Sequence, residues 1–195
     1  MHISNYFKLT ICIVTLIIPR IGLTETDPSS LRLYDLGNKI SELIGNHDKK
    51  DELLIYLNEM ERRSNSKNPE AMYMLGRYNQ FLCNFLKKTG VDAGENGPSM
   101  CVKALNNFKE IADNSKIRIL YYSSASMSAL GEMYRDGIGT KPSQYLAADW
   151  FVKSAKLQST NGDREGAIRA LEDALKAVPE YPPAIEASVT IFKQQ

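Results

Sequence analysis

The chain has 195 residues, 43% of them apolar, with 24 Lys and Arg against 23 Asp and Glu for a formal net charge of +1. This is the size of one ordinary domain with enough apolar content to bury a core, which excludes wholesale disorder. The near balance of charge gives no electrostatic reason to expect nucleic acid or an anionic membrane surface as a partner.

The N-terminus differs from everything after it. A short polar start carrying Lys8 leads into the nearly uncharged run Leu9 to Ile18 (LTICIVTLII), which Pro19 ends. Solvated residues follow from Glu25 to Ser30. That layout is expected of a secretory signal peptide over residues 1–24, cleaved after Thr24. An uncleaved membrane anchor is the alternative, although the run is about ten residues and a spanning helix needs roughly 20. Cys12 does not fit a lipidated cysteine, because the bulky Ile11 precedes it. Loss of Lys8 and Arg20 leaves 22 basic and 23 acidic residues, a net charge of −1.

Residues 25–195 read as one helical domain. Apolar residues recur at spacings of three and four, which places them on helical stripes. In 31–44 the stripe is Leu33, Leu36, Ile40, Leu43 and Ile44; in 51–63 it is Leu53, Leu54, Leu57 and Met60. Further helices are expected at about 70–88, 100–113, 122–136, 144–158, 164–178 and 183–193. Breakers fall between them: Gly45-Asn46, Asn68-Pro69, Gly90 through Pro98, Gly137 and Gly139, Gly162, and Pro179 with Pro182-Pro183. The expectation is all-α, eight helices in four antiparallel hairpins.

Chemistry has little to work with. Beyond residue 24 the chain has a single histidine, His47, in a turn, with neither Cys83 nor Cys101 near it in sequence. A nucleophile needs a base beside it, so no catalytic site is expected and the chain is not read as an enzyme. Two Cys and one His at these spacings match no zinc pattern. The loop 89–99 (TGVDAGENGPS) carries Asp92, Glu95 and Asn96 but lacks the alternating oxygen ligands and closing Glu of a calcium loop. No cofactor, metal or small-molecule substrate is expected. Cys83 and Cys101 form an even pair, which favours a disulfide in an exported chain; two free buried thiols are the alternative. Antiparallel pairing of the third and fourth helices sets the two cysteines at similar heights along the hairpin.

The helices also repeat. Leu36-Gly37, Leu75-Gly76 and Leu130-Gly131 recur in three first helices. Ala104, Phe108 and Ala112 align with Ala147, Phe151 and Ala155 in two second helices. Neither hairpin buries its apolar face alone, so the hairpins must stack. Residues 126–155 resemble a Sel-like repeat, a branch of the tetratricopeptide superfamily. The matching residues are Leu130-Gly131, Tyr134, Gly137, Gly139, Ala147, Trp150-Phe151 and Ala155. Residues 162–184 resemble the second half of an ordinary tetratricopeptide unit, through Gly162-Asp163, Ala167, Leu171, Ala174, Pro179 and Ala184. Residues 71–112 look like a divergent Sel-like unit with Asn79 in place of Tyr, and residues 31–63 match at Leu36-Gly37.

The resemblance implies a right-handed α-α superhelix whose first helices line a concave groove holding a protein partner. Carried over, the groove positions are Tyr34, Asn38 and Ser41; Tyr73, Arg77 and Gln80; and Ser128, Glu132 and Arg135. Tyr73 and Arg77 are the expected anchors, because Tyr and Arg bury area and still hydrogen-bond; as surface residues, their truncation is expected to leave stability almost unchanged. Related cysteine-rich proteins staple their hairpins, which supports the Cys83–Cys101 bridge. The implied function is a non-catalytic binding scaffold in the bacterial periplasm, with a secreted or N-terminally anchored protein as the alternative location; it would be an envelope or secretion adaptor or a protein that masks a toxin. A regulatory subunit of an enzyme, or an enzyme with an unrecognised site, is the alternative.

Overall fold

The computed structural model describes residues 27–44, 46–90, 96–113 and 120–193. The expected signal peptide and its cleavage point lie outside the described residues, as do Asp92 and Glu95 of the long loop. Among the described residues the secondary structure is helical, without strands. Eight α-helices follow in order: α1 (Leu33–Leu43), α2 (Lys50–Asn65), α3 (Pro69–Thr89), α4 (Asn96–Asp113), α5 (Leu120–Asp136), α6 (Gln144–Thr160), α7 (Arg164–Ala177) and α8 (Pro182–Lys193). Short 3₁₀ turns at Pro28–Ser30 and His47–Lys49 precede α1 and α2. The expected helices are present within a few residues at their ends. The largest difference is α4, which begins at Asn96 rather than near residue 100 and so takes in the last part of the expected loop.

The helix ends follow from capping chemistry. Asn68 accepts from the Ala71 amide at 3.0 Å, with Pro69 in the first turn of α3, where its missing N–H costs nothing. Ser143 and Asp163 cap α6 and α7 by accepting from the amides of Leu146 and Gly166. Gly90 ends α3 at φ 65°, a left-handed conformation in which its amide reaches the Leu86 carbonyl.

Each helix packs on the next in the chain. Second neighbours touch as α1 with α3, α3 with α5, and then α6 with α8. The first two of these contacts join first helices of the hairpins, and the last joins two second helices. Small residues account for it: Ala147, Ala148 and Ala155 of α6 and Ala184 and Ala187 of α8 share one buried cluster with Phe151 and Leu171. A second cluster joins Cys83, Phe108, Leu130, Met133 and Ile138, and a third joins α1, α2 and Ala71.

The repeated Leu-Gly and Ala-Phe-Ala residues meet in space. A Cβ on Gly76 would lie 2.8 Å from the Phe108 ring, and one on Gly131 2.6 Å from Phe151. The first hairpin lacks this contact; Gly37 instead faces the tip of Met74 on α3.

One stripe differs from expectation. The face that α2 buries holds Tyr56 (3% exposed), Met60 and the carboxylate of Glu59, while Leu53 and Leu57 are half-buried at its edge. Glu59 takes charge-assisted hydrogen bonds from Arg62 (2.7 and 2.8 Å) and Arg63 (2.6 Å). Arg63 also donates to the carbonyls of Pro28 and Ser29, tying the start of the described chain to α2. The Arg62 hydrogen bond, joined by Arg63 and opposed by burial, holds the Glu59 carboxyl at about 2.

Candidate functional site

The first helices α1, α3 and α5 share a face, and the expected groove residues distribute unevenly over it. Arg77 and Gln80 of α3 converge on Glu132 of α5. Arg77 Nη1 donates to Glu132 Oε2 at 3.0 Å and to Gln80 Oε1 at 3.1 Å, and Gln80 Nε2 donates to the same Glu132 oxygen at 3.0 Å. Gln80 is itself buried, at 3% exposure, so it braces the pair rather than presenting an amide to a partner. Arg77 and Glu132 keep 46% and 36% of their side chains in solvent.

Tyr73 is half-buried. Its ring packs at 5.8 Å from Phe108 and 5.7 Å from Tyr122, and burial pushes its phenol up. The expectation of a free surface anchor is therefore corrected: Tyr73 belongs partly to the core between α3 and α4. Tyr122 is pushed up to about 12, by burial first and then by its hydrogen bond to Glu70. Tyr121, 63% exposed, stacks edge-on against Tyr122 and extends this aromatic row toward solvent.

Ser128 faces α6, not the groove. Its hydroxyl shares a 2.8 Å hydrogen bond with Ser154 Oγ, which donates on to the Ser124 carbonyl. Arg135 turns to the adjacent Asp136 at the end of α5. Tyr34 and Asn38 are exposed on α1. Ser41 lines the groove, although its hydroxyl is spent on the Gly37 carbonyl.

Between α1 and α3 the face opens into a cleft of about 520 Å³. Ile40, Ser41 and Ile44 form one wall, Leu57 and Met60 of α2 the floor, and Tyr73, Met74, Arg77, Tyr78 and Phe81 the other wall. Phe81 is 55% exposed at the mouth, a large apolar surface left to water. A mostly apolar cleft with a few polar groups at the rim is the ordinary form of a binding site. Sequence reasoning found Tyr73, Arg77 and Ser41 but missed Ile40, Met74, Tyr78 and Phe81. The missed signal is the width of the apolar stripe on α3: Met74 and Tyr78 pack against the core of the first hairpin, and Phe81 continues the stripe into solvent.

Cys83 and Cys101 stand at disulfide distance, their Cα atoms 5.6 Å apart and 18 residues apart in sequence. Gly139, at φ 67°, brings the loop after α5 against the Cys101 carbonyl, where a Cβ would come within 2.4 Å. The bridge thus sits where three segments meet. Among the described residues no group of His, Cys, Asp and Glu is arranged to hold a metal ion, and no helix is long and apolar enough to cross a membrane.

Comparison with family models, with curated proteins and with solved structures finds no match for this chain.

Proposed function

We propose that this chain is an exported, non-catalytic binding scaffold of the Sel-like type, its hairpins stacked as a right-handed superhelix. The observation that carries the reading is the apolar cleft between α1 and α3, on the face formed by the first helices, with Phe81 at its mouth and Arg77 on its rim. A protein segment fits this site if it offers a large apolar side chain to the cleft and polar groups to the Arg77–Glu132 pair. The twofold Gly–Phe contact, Gly76 with Phe108 and Gly131 with Phe151, supports the repeat reading. The cysteine pair at bonding distance supports an oxidising compartment, for which the bacterial periplasm is the reading, with a role in envelope or secretion assembly or in masking a toxin.

The test is a photo-reactive residue placed at position 81 and, separately, at the exposed position 172 on α7, each in the native host. A discrete protein adduct formed from position 81 and absent from 172 supports the groove. Equal capture from both positions, or none from 81, removes the assignment.

A further inference from the structure

The helix α8 is apolar on two sides. Ala184, Ala187 and Ile191 are buried against α6 and α7. On the opposite side Ile185, Val189 and Phe192, spaced i, i+4 and i+7, are each 45% exposed. Three large apolar side chains side by side on one helix face form a stripe whose removal from water is favourable, so the stripe is suited to an apolar partner surface.

The charges beside the stripe identify what covers it. Glu186 and Lys193 are exposed, and neither forms an ion pair with another of the described residues. They are seven residues apart, so both project from the same flank of the stripe, about 10 Å apart along the axis. When two helices pair antiparallel about a two-fold axis, the same flank of each faces the other with its direction reversed. With the axis between Val189 and Thr190, Glu186 lies opposite Lys193 of the second copy, and Lys193 opposite its Glu186. Ile185, Val189 and Phe192 then interdigitate with their own equivalents. The arrangement is self-complementary, as an isologous contact requires. At the far edge the Arg164 guanidinium lies over the Phe192 ring, 6.0 Å from its centroid.

We propose that α8 is a homodimerisation surface, occupied by α8 of a second copy in antiparallel register. The apolar stripe supplies the affinity; the two exposed ion pairs contribute little energy but set the direction. A single helix pair is small by interface standards, so the dimer is concentration-dependent.

Sedimentation equilibrium of the purified full chain tests this. The expected result is a reversible monomer–dimer system with no larger species. Val189→Asp abolishes the dimer while helical circular dichroism is retained. Glu186→Lys or Lys193→Glu alone weakens dimerisation about tenfold, and the double exchange restores it. Val189→Cys, beside the two-fold axis, forms an interchain disulfide, whereas Ile185→Cys, displaced from it, does not. A protein that stays monomeric at all concentrations overturns the proposal, as does a dimer unaffected by Val189→Asp. Equal cross-linking from 185 and 189 overturns the antiparallel register.

Discussion

Gly131 on α5 faces the ring of Phe151 on α6 so closely that a Cβ at position 131 would lie 2.6 Å from it. Phe151 is 1% exposed and is held by Ala147, Ala148 and Ala155 around it, so the ring has no room to retreat. The absent side chain is what lets α5 and α6 approach as they do.

Gly131→Ala should therefore destabilise the protein by about 1–3 kcal/mol, the usual cost of overpacking. Helix propensity works the other way, by up to about 1 kcal/mol, and loses. Gly37→Ala provides the contrast. There the obstacle is the far end of Met74, a flexible side chain at the cleft, so propensity and displacement nearly cancel. Urea denaturation of the two variants beside the parent should give a clear loss for position 131 and little change for position 37.

Joining Cys83 to Cys101 closes a loop of 18 residues, which the chain-entropy model values at about 3 kcal/mol. The double variant Cys83→Ala with Cys101→Ala should lose about that much, with the opening of α4 from α3 leading global unfolding. Protein recovered from its native compartment and alkylated without reductant should show both cysteines protected. Two alkylated thiols there would remove the bridge and with it one support for export.

Glu59 ties stability to acid. Its folded-state value is about 2 against an ordinary 4.5, so the unfolded chain takes up the proton first as pH falls. The contribution is complete above about pH 4.5 and disappears as pH drops toward 2. With the carboxylate 9% exposed and bound to two arginines, this amounts to roughly 1–3 kcal/mol. Glu59→Gln should flatten the stability profile in that window and leave the slope elsewhere unaltered. A variant with the parental acid profile would assign the loss to other carboxylates.

Much of this fold was legible because its signals are local. Capping residues, glycine breaks and the 3.6-residue period mark each helix, as at Asn68-Pro69 and Gly90, and the Leu-Gly and Ala-Phe-Ala repeats point to the contacts they make. What depends on three dimensions was not. Periodicity alone placed Leu54 on the buried stripe of α2, whereas Tyr56 and the arginine-bound Glu59 occupy it, because a carboxylate with two partners is stable where a lone one is not. The change from α3–α5 to α6–α8 contacts was hidden too: alanines mark α6 and α8 as close-packing helices without saying which neighbour they meet. Within the groove, spacing gave the helix face but not how deep each residue sits, which is why Gln80 and Ser128 read as contact residues and prove to be internal ties.

The groove residues now divide by what surrounds them, and this gives a sharper binding prediction. Arg77 is half in water and paired with Glu132 at the surface, where such pairs are worth about 0–1 kcal/mol, so Arg77→Ala should keep its stability. Leu130, fully buried, should lose roughly 2–5 kcal/mol on truncation to Ala. Tyr73 packs on Phe108, so Tyr73→Ala should lose about 2 kcal/mol or more, and weaker binding by that variant would not distinguish contact from unfolding. Phe81 is the better probe, since more than half of it is exposed at the cleft mouth and little structure rests on it. Phe81→Asp should leave the melting temperature within a few degrees of the parent. The same change should cost at least about 2 kcal/mol of affinity for the protein captured from position 81, by placing a charge where an apolar group must dock. A Phe81→Asp protein that melts normally and binds that partner undiminished would move the contact surface away from the cleft, toward the exposed Tyr121 on α5.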